Sequence, residues 1–256
     1  MSIRLTDVYV SVPHKRARIP VLKGLSLEVP DGARIAILGL PKSGKTTLLR
    51  TLCGTLTADL GRVENTSHTS WPIPLTTFMA GPGTVARNIR FLAKLYGISD
   101  ESFPRRVAEM MEIGEFLNVP LQKCPKIVRP RLAFGLAIGL DFDIYLFDGA
   151  LAPSDKNFKP RWAEILAERL KGRGYVVATA NPKDVEQYSD SVYVLEAGQA
   201  RYFGMVTEGV EYFKELLASQ KQQVAAEKES KHAEEEDAEG LGDIDVLAAA
   251  IVDEVE

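Results

Sequence analysis

The residues best suited to chemistry stand close together near the N-terminus, between Gly39 and Thr47. Residues 39–46 read Gly-Leu-Pro-Lys-Ser-Gly-Lys-Thr, which fits the spacing of a phosphate-binding loop. Glycines let backbone N–H groups close around phosphate oxygens, Lys45 brings a positive charge, and the Thr46 hydroxyl is a ligand for Mg²⁺. We therefore predict a nucleoside triphosphate site formed by Gly39, Pro41, Lys42, Ser43, Gly44, Lys45, Thr46 and Thr47.

A predicted strand and a predicted helix hold this loop in place. Residues 34–38 form a short apolar run of the buried-strand type, and residues 47–52 continue as a helix. A loop that leads into a helix N-terminus directs N–H groups and the positive end of the helix dipole towards an anion. This context favours a phosphate ligand over the alternative, a glycine-rich turn without a ligand.

Patterns typical of strands and helices alternate along the rest of the chain. Strands at 3–10 and 21–29 flank a predicted hairpin loop at 14–18, which indicates an antiparallel β subdomain. The β-α-β order that follows predicts an α/β fold with a mostly parallel core sheet, a helical subdomain at about 84–140, and nucleotide at the carboxyl ends of the strands. Further strands are predicted at 70–75, 144–148, 175–180, 191–195 and 199–203, and helices at 84–96, 103–117, 131–140 and 160–171.

Composition narrows the class of protein. The 256 residues are 45% apolar, enough for a sizeable core, and no uninterrupted apolar run of about 18 residues predicts a bilayer-spanning helix. The N-terminus lacks the charged-then-apolar pattern of a signal peptide, and Cys53 and Cys124 fit neither a disulfide framework nor a metal spacing. The net charge of −4 does not indicate nucleic-acid binding. We expect a cytoplasmic protein.

The last part of the chain differs from the rest. Residues 221–256 contain 12 acidic residues and three lysines, so the first 220 residues are net positive. We predict a domain at 1–218 followed by an acidic, disordered tail at 219–256. Ile244, Leu247, Ile251 and Val255 recur near helical spacing between acids, so a short docking helix at the end of the tail is the alternative.

Several stretches outside the loop resemble the nucleotide-binding subunits of ABC transporters, and among these the subunits that export capsular polysaccharide from Gram-negative bacteria. The resemblance covers residues 1 to about 218. It implies a P-loop NTPase fold of ABC type, ATP and Mg²⁺ as cofactors, a homodimer or heterodimer, and a seat on a membrane permease at the inner face of the bacterial inner membrane. The stretches are Ser-Trp-Pro-Ile at 70–73, residues 88–91 and 94–97, Arg-Leu-Ala-Phe at 131–134, residues 142–148, and Tyr-Phe-Gly at 202–204.

The resemblance also implies roles for two residues outside the loop. Tyr9 corresponds to the ring that stacks on adenine, and its alternative is an ordinary strand tyrosine. Asp148, at the end of a predicted buried strand, corresponds to the carboxylate associated with Mg²⁺ beside Thr46. A charge at such a position is costly to bury without a metal or a partner, which favours this role.

The chain departs from the family at positions whose side chains take part in hydrolysis. Gly149 replaces the glutamate that polarises the attacking water, and a glycine has no side chain for base chemistry. Asn181 replaces the histidine that contacts the γ-phosphate, and an amide does not titrate near neutral pH.

Two further elements are altered. The signature Ser-Gly pair, which reaches the γ-phosphate in the partner subunit, becomes Lys126-Ile127, and isoleucine lacks the conformational freedom of glycine. A Gly-Gly-Phe stretch becomes Thr77-Phe78-Met79. We predict a pseudo-ATPase that binds ATP and turns it over poorly. A non-catalytic scaffold or regulator of the export complex is the alternative.

Two other nucleotide-binding classes fit less well. A GTPase needs Asn-Lys-x-Asp after a strand, and residues 181–184 hold those letters in the wrong register. A small-molecule kinase needs a lid with several arginines, for which Arg129 and Arg131 are the candidates. That interpretation gives no reason for the Ser-Trp-Pro-Ile and Tyr-Phe-Gly stretches.

Overall fold

The computed structural model describes residues 2–15, 17–149, 151–152 and 155–222. Single 3-10 turns lie at Gly114–Phe116 and Leu121–Lys123, and residues 206–222 are helical. In chain order the other elements are β1 (Ile3–His14), β2 (Ala17–Val29), β3 (Arg34–Gly39), α1 (Lys45–Leu52), β4 (Leu60–Asn65), β5 (Thr69–Ile73), α2 (Val85–Leu95), α3 (Phe103–Met110), α4 (Val128–Gly139), β6 (Ile144–Asp148), α5 (Lys159–Arg169), β7 (Gly174–Thr179), α6 (Pro182–Tyr188), β8 (Ser191–Glu196) and β9 (Gln199–Phe203).

Six strands form the core sheet in the order β5-β6-β7-β3-β8-β9. Neighbouring strands run parallel except β8 and β9, which form an antiparallel pair. Continuous apolar runs bury β3, β6 and β7 along most of their length, as expected for strands covered on both faces. The predicted mostly parallel sheet is confirmed. Its register brings the ends of β3, β6 and β7 together at one edge, with Asp148 opposite Ala178 and Leu38 opposite Thr179.

A second sheet has three antiparallel strands in the order β2-β1-β4. The β1–β2 hairpin predicted from the sequence is present, but its turn is tighter than predicted because His14 still pairs with Ala17. The third strand, β4, pairs with β1 and was missed by the sequence analysis. Its six residues are mostly exposed and carry no clear apolar alternation.

Helix α1 joins the two sheets into one core. Leu48, Leu49 and Leu52 are fully buried and belong to a cluster that includes Leu25 of β2 and Ile144 of β6. This packing fixes the start of α1, and therefore the loop before it, relative to the end of β6.

The helical region between β5 and β6 is held by a buried asparagine. The side chain of Asn88 accepts from the Ala80 N–H at 2.8 Å and donates to the Ala80 and Thr84 carbonyls at 3.1 and 3.0 Å. The second predicted helix, 103–117, is wrong in length: α3 ends at Met110, and Glu112 then adopts a left-handed φ of 53°.

Residue contacts divide the chain into two units, Met1–Val210 and Glu211–Glu256. Every residue whose structure is described in the following sections lies in the first unit. Most of the predicted acidic tail, including its proposed terminal docking helix, lies outside the described residues. Among the helices that the structure describes, none has the length and apolarity needed to span a bilayer.

Candidate functional site

The predicted phosphate loop connects the end of β3 to the start of α1, at the carboxyl edge of the core sheet. Lys42 and Gly44 adopt left-handed φ values of 66° and 104°. A Cβ on Gly44 would lie 2.6 Å from Cγ1 of Val21 in β2, closer than real carbon atoms approach. Both the backbone angle and the neighbouring strand therefore require glycine at position 44.

The loop also closes tightly on itself. A Cβ on Gly39 would lie 2.4 Å from Oγ of Ser43 and 3.1 Å from the Leu195 carbonyl oxygen. Oγ of Ser43 is buried and has no hydrogen-bond partner among the described residues. Because a buried hydroxyl without a partner costs free energy, this atom is suited to a hydrogen bond with a ligand in the loop.

Lys45 lies half-buried beneath the loop. Its Nζ donates to the carbonyl oxygens of Gly39 and Leu40 at 2.8 and 2.7 Å. An ammonium has three donors, so one remains for a phosphate oxygen. Burial lowers the pKa of Lys45, and the Asp148 carboxylate acts in the opposite direction. A bound phosphate would favour the charged lysine in the same way as Asp148 does.

Thr46 and Asp148, 102 residues apart in sequence, are in direct contact. Oγ1 of Thr46 donates to Oδ2 of Asp148 at 2.7 Å, so the start of α1 meets the end of β6. A hydroxyl and a carboxylate oxygen suit Mg²⁺, which usually takes one or two protein ligands and completes its shell with phosphates and water. Among the described residues, no group of three or more His, Cys, Asp or Glu side chains could hold a metal ion.

Other predicted ligand residues lie around the loop. Pro41 and Lys42 are exposed at its tip, and Thr47 is half-buried in the first turn of α1. Tyr9 is 40% exposed on β1, and its hydroxyl lies 2.9 Å from the Cβ position of Gly24 on β2. The same strand contacts Gly44 through Val21, so Tyr9 stands on the strand pair that borders the loop.

Gly149 follows Asp148 at the end of β6 and has a left-handed φ of 97°. Its N–H donates to the Ala178 carbonyl at 2.7 Å, which ties this backbone turn to β7. The space around a Cβ at this position is open, but the backbone angle disfavours every residue with a side chain. The sequence shows only the missing carboxylate, whereas the structure adds that the backbone at this position is left-handed.

Asn181 has a structural task that the sequence analysis missed. It is the N-cap of α6, and its Oδ1 accepts from the Lys183 N–H at 3.2 Å. The signal was present, because Asn followed by Pro is a common start of a helix. The side chain is exposed beyond the end of β7, at the same sheet edge as Asp148.

Lys126-Ile127, at the signature position, and Thr77-Phe78-Met79, at the Gly-Gly-Phe position, lie in different surroundings. Lys126 and Ile127 are exposed just before α4, and Ile127 is 40% exposed. Met79 is buried, and the ring of Phe78 lies 5.9 Å from that of Trp71 in an edge-to-face arrangement. The first pair is presented on the surface, whereas Thr77-Phe78-Met79 is partly packed into the protein.

Arg131 ties the start of α4 to the segment that precedes α5. Its guanidinium forms an ion pair with Asp155, lies 4.2 Å over the Phe158 ring, and donates to the Met111 carbonyl at 3.2 Å. The side chain is only 12% exposed. Arg131 is therefore engaged within the structure, which leaves the kinase interpretation without one of its two candidate lid arginines.

Comparisons with known proteins agree with this geometry. The ABC transporter family model matches residues 22–123. The ATP-binding protein BexA of Haemophilus influenzae is 31% identical over 76% of this chain and 90% of its own length. The polysialic acid transport ATP-binding protein KpsT of Escherichia coli is 30% identical over 84% of this chain and its full length, and the capsule polysaccharide export ATP-binding protein CtrD of Neisseria meningitidis is 30% identical over 77% and 91%.

Solved structures show the same fold. An ATP-binding subunit of an ABC transporter superposes with a TM-score of 0.68 at 20% identity, covering 80% of this chain and 90% of that one. A dimeric ATP-binding cassette in a post-hydrolysis state with ADP and phosphate gives 0.67 at 17% identity, covering 79% and 98%.

Proposed function

Because this chain belongs to the family of ABC transporter ATP-binding proteins, we propose that it is the ATP-binding subunit of an exporter for a capsule-type polysaccharide. It binds ATP with Mg²⁺ and hydrolyses it poorly. The observation that carries this proposal is the contact between Thr46 and Asp148 beside an intact phosphate loop, followed directly by a glycine at position 149.

The chain's own residues account for binding. The loop backbone and Ser43 surround the phosphates, and Lys45 neutralises part of their charge. Thr46 and Asp148 would hold Mg²⁺, which would offset part of the negative charge of the phosphates. Tyr9 stacks on adenine from the bordering strand pair.

Hydrolysis lacks its base. No carboxylate follows Asp148, and Asn181 uses its side-chain oxygen to cap α6. Positioned acid–base groups contribute roughly 10²–10⁴ in rate, so the loss at position 149 alone explains a deep deficit. Lys126 and Ile127 would also meet the γ-phosphate of a partner subunit in a sandwich dimer, and neither reproduces the close approach of a Ser-Gly pair.

The substrate class rests on the relatives. Their names assign them to export of capsule polysaccharide and to transport of polysialic acid, and they match most of this chain. We extend the class, a capsule-type polysaccharide, to the exporter that this chain would serve.

A membrane permease is the proposed partner, with this chain on the cytoplasmic face of the bacterial inner membrane. Helix α2 leaves Phe91 57% exposed and Leu95 69% exposed, one turn apart. Exposed apolar side chains at this spacing fit a helical partner. A second ATP-binding subunit, either another copy or an intact relative, would complete the dimer.

A non-catalytic role is the second candidate, supported by the left-handed backbone at Gly149. Such a scaffold or regulator would bind ATP to stabilise the export complex without turning it over. It differs from the first proposal by turnover alone.

Nucleotide binding and phosphate release measured on the same purified sample test both. We expect saturable Mg²⁺-dependent ATP binding with slow release of phosphate. Undetectable release in the presence of permease and partner subunit favours the scaffold, and absence of ATP binding contradicts both.

A further inference from the structure

The turn that follows Asp148 is built on a residue with few conformational restraints of its own. Gly149 has a left-handed φ of 97°, and no atom lies close to its Cβ position. Because glycine adopts more backbone conformations than any other residue, a turn built on it needs contacts from elsewhere to keep one conformation. Asp148, whose carboxylate accepts from Thr46 at 2.7 Å, is directly attached to this turn.

Two hydrogen bonds hold the turn. On one side, the Gly149 N–H donates to the Ala178 carbonyl of β7 at 2.7 Å. On the other side, the Leu151 carbonyl accepts from Nε1 of Trp162 in α5, also at 2.7 Å. The first bond uses only backbone atoms, which every residue except proline supplies, whereas the second depends on one side chain.

The bond between Trp162 and Leu151 is buried. Trp162 is 1% exposed and Leu151 is 6% exposed, so bulk water does not replace the indole donor. Loss of the indole N–H would leave the Leu151 carbonyl as a buried acceptor without this donor, which costs free energy. We expect the turn to shift in response, because Gly149 allows it to do so.

Neighbouring aromatic rings fix the direction of the Trp162 indole. The Phe134 ring of α4 lies 5.1 Å from the Trp162 ring in an edge-to-face arrangement, and the Phe158 ring lies 6.4 Å away. Phe134 also stacks at 6.5 Å on Phe147, the residue before Asp148. The packing of α4 and α5 against β6 therefore sets the orientation of Trp162, and the turn receives its hydrogen bond from a side chain that is already in place.

We propose that Trp162 is a positioning residue for the Asp148 carboxylate. Its bond to Leu151 keeps the turn at Gly149 in the conformation that holds Asp148 against Thr46. This inference rests on the proposed function, because Asp148 acts on Mg²⁺ only if the site binds ATP with Mg²⁺. Trp162 does not touch the nucleotide and acts through Asp148, so it affects the use of Mg²⁺ more than the contact between the phosphates and the loop.

ATP titrations of the full-length protein at a series of Mg²⁺ concentrations test this assignment. Trp162→Phe removes the N–H donor and keeps an aromatic ring. It should raise the Mg²⁺ concentration for half-maximal ATP binding by about twofold to tenfold, the factor that one hydrogen bond typically contributes. ATP binding at saturating Mg²⁺, and binding without Mg²⁺ in EDTA, should change little.

Trp71→Phe is the matched control. Nε1 of Trp71 is also buried, but it has no hydrogen-bond partner among the described residues, so this variant undergoes the same chemical change without losing a hydrogen bond. Its Mg²⁺ dependence should equal that of the unmodified chain. Because the chain has two tryptophans, the variant also keeps Trp162 as its single fluorophore of this type. That fluorescence should change more with Mg²⁺ and ATP together than with ATP in EDTA.

A double-mutant cycle with Asp148→Asn separates positioning from a general loosening of the domain. If Trp162 acts through the carboxylate, Trp162→Phe should cause no further change in Mg²⁺ dependence once Asp148 is replaced. A purely structural role would give the same shift in both backgrounds. Melting curves of each variant confirm that it folds.

Three results would overturn the proposal. They are an unchanged Mg²⁺ dependence in folded Trp162→Phe, an equal shift in Trp71→Phe, and a full effect of Trp162→Phe in the Asp148→Asn background. Should Trp162→Phe fail to fold, the fluorescence of the Trp71→Phe protein decides the question, because a response that does not depend on Mg²⁺ contradicts the role of Trp162. Absence of ATP binding by the unmodified chain would instead contradict the proposed function, and with it this inference.

Discussion

In the proposed function, two groups of residues have kept different amounts of their chemistry. The phosphate loop, Thr46 and Asp148 carry the groups that we propose bind ATP and Mg²⁺, and the Thr46 hydroxyl donates to Asp148 at 2.7 Å. In the proposed function, Gly149, Asn181 and the Lys126-Ile127 pair stand where the family has the groups that hydrolysis needs. Binding comes mainly from one contiguous loop, whereas hydrolysis needs side chains from three distant segments. A chain can therefore lose the second and keep the first.

The local backbone structure at Gly149 and Asn181 adds to the difference in side chains between the two groups. At Gly149 the chain turns through a left-handed conformation pinned by a hydrogen bond to β7, and Asn181 is committed to capping α6. Restoring a family side chain at either position meets a local structure adapted to the present residue.

The largest expected effect concerns turnover. Wild-type protein should release phosphate very slowly, and Gly149→Glu should recover little of the missing 10²–10⁴ or so, because the glutamate enters a left-handed backbone. Only a triple variant that adds Lys126→Ser and Ile127→Gly should gain substantially. Steady-state phosphate release at matched protein concentration is the measurement.

Gly149→Ala is the matched control, since it places a side chain on the same backbone without the carboxylate. Brisk turnover by the wild type would contradict the proposal that the chain binds ATP but lacks the groups for hydrolysis. Full rescue by Gly149→Glu alone would show that the signature region and the backbone matter less than we infer.

The binding group should respond to loss of Lys45. Lys45→Ala removes a charge-assisted contact worth about 1.5–3 kcal/mol, so ATP should bind tenfold or more weakly. Lys42→Ala is the control within the same loop, because Lys42 is exposed at its tip and should matter less. Direct titration with Mg²⁺·ATP measures the affinity of both variants. Unchanged affinity of Lys45→Ala would contradict the proposed binding mode.

Asn181 should behave as a structural residue. Asn181→Ala removes the cap of α6 and should lower the free energy of unfolding by about 1 kcal/mol, with little change in ATP affinity. Asn181→Asp keeps a capping oxygen and should be nearly neutral for stability. Denaturant unfolding and ATP titration provide the two readouts; a large drop in affinity without loss of stability would place Asn181 in the binding group instead.

The smallest effect is expected from the acidic tail. A chain ending at Gln222 should melt within a few degrees of the full chain, because the composition of the removed segment cannot supply a packed core. We expect it to change partner choice instead, which co-purification with the permease would reveal. A loss of many degrees would show that the tail stabilises the domain.

Much of the fold was predictable because its signals are local. The apolar runs of β3 and β6 and the loop between β3 and α1 need no information from elsewhere in the chain. β4 was missed because it is held by pairing with β1 along a mostly exposed edge, which leaves little trace in its own side chains. The second helix was predicted too long because apolar spacing continued past Glu112, where the backbone turns left-handed.

The candidate site was also only partly predictable from the sequence. The loop residues could be read from their spacing, but the contact of Thr46 with Asp148 depends on how α1 packs between the sheets and was reached only through family resemblance. The structural contacts of Arg131 and Asn88 could not be predicted, because their partners are backbone carbonyls and a carboxylate that only the folded chain brings near.

The crowding around Gly39 and Gly44 affects what these two glycines can tell us about nucleotide binding. Substitution at either position would press on Ser43 and Leu195 or on Val21, so the fold itself would select against drift there, with or without a nucleotide. The presence of the two glycines is therefore weak evidence that the protein binds ATP. Lys45, Thr46 and Asp148 are not required by such crowding, so their presence supports the proposed ATP site better than the two glycines do.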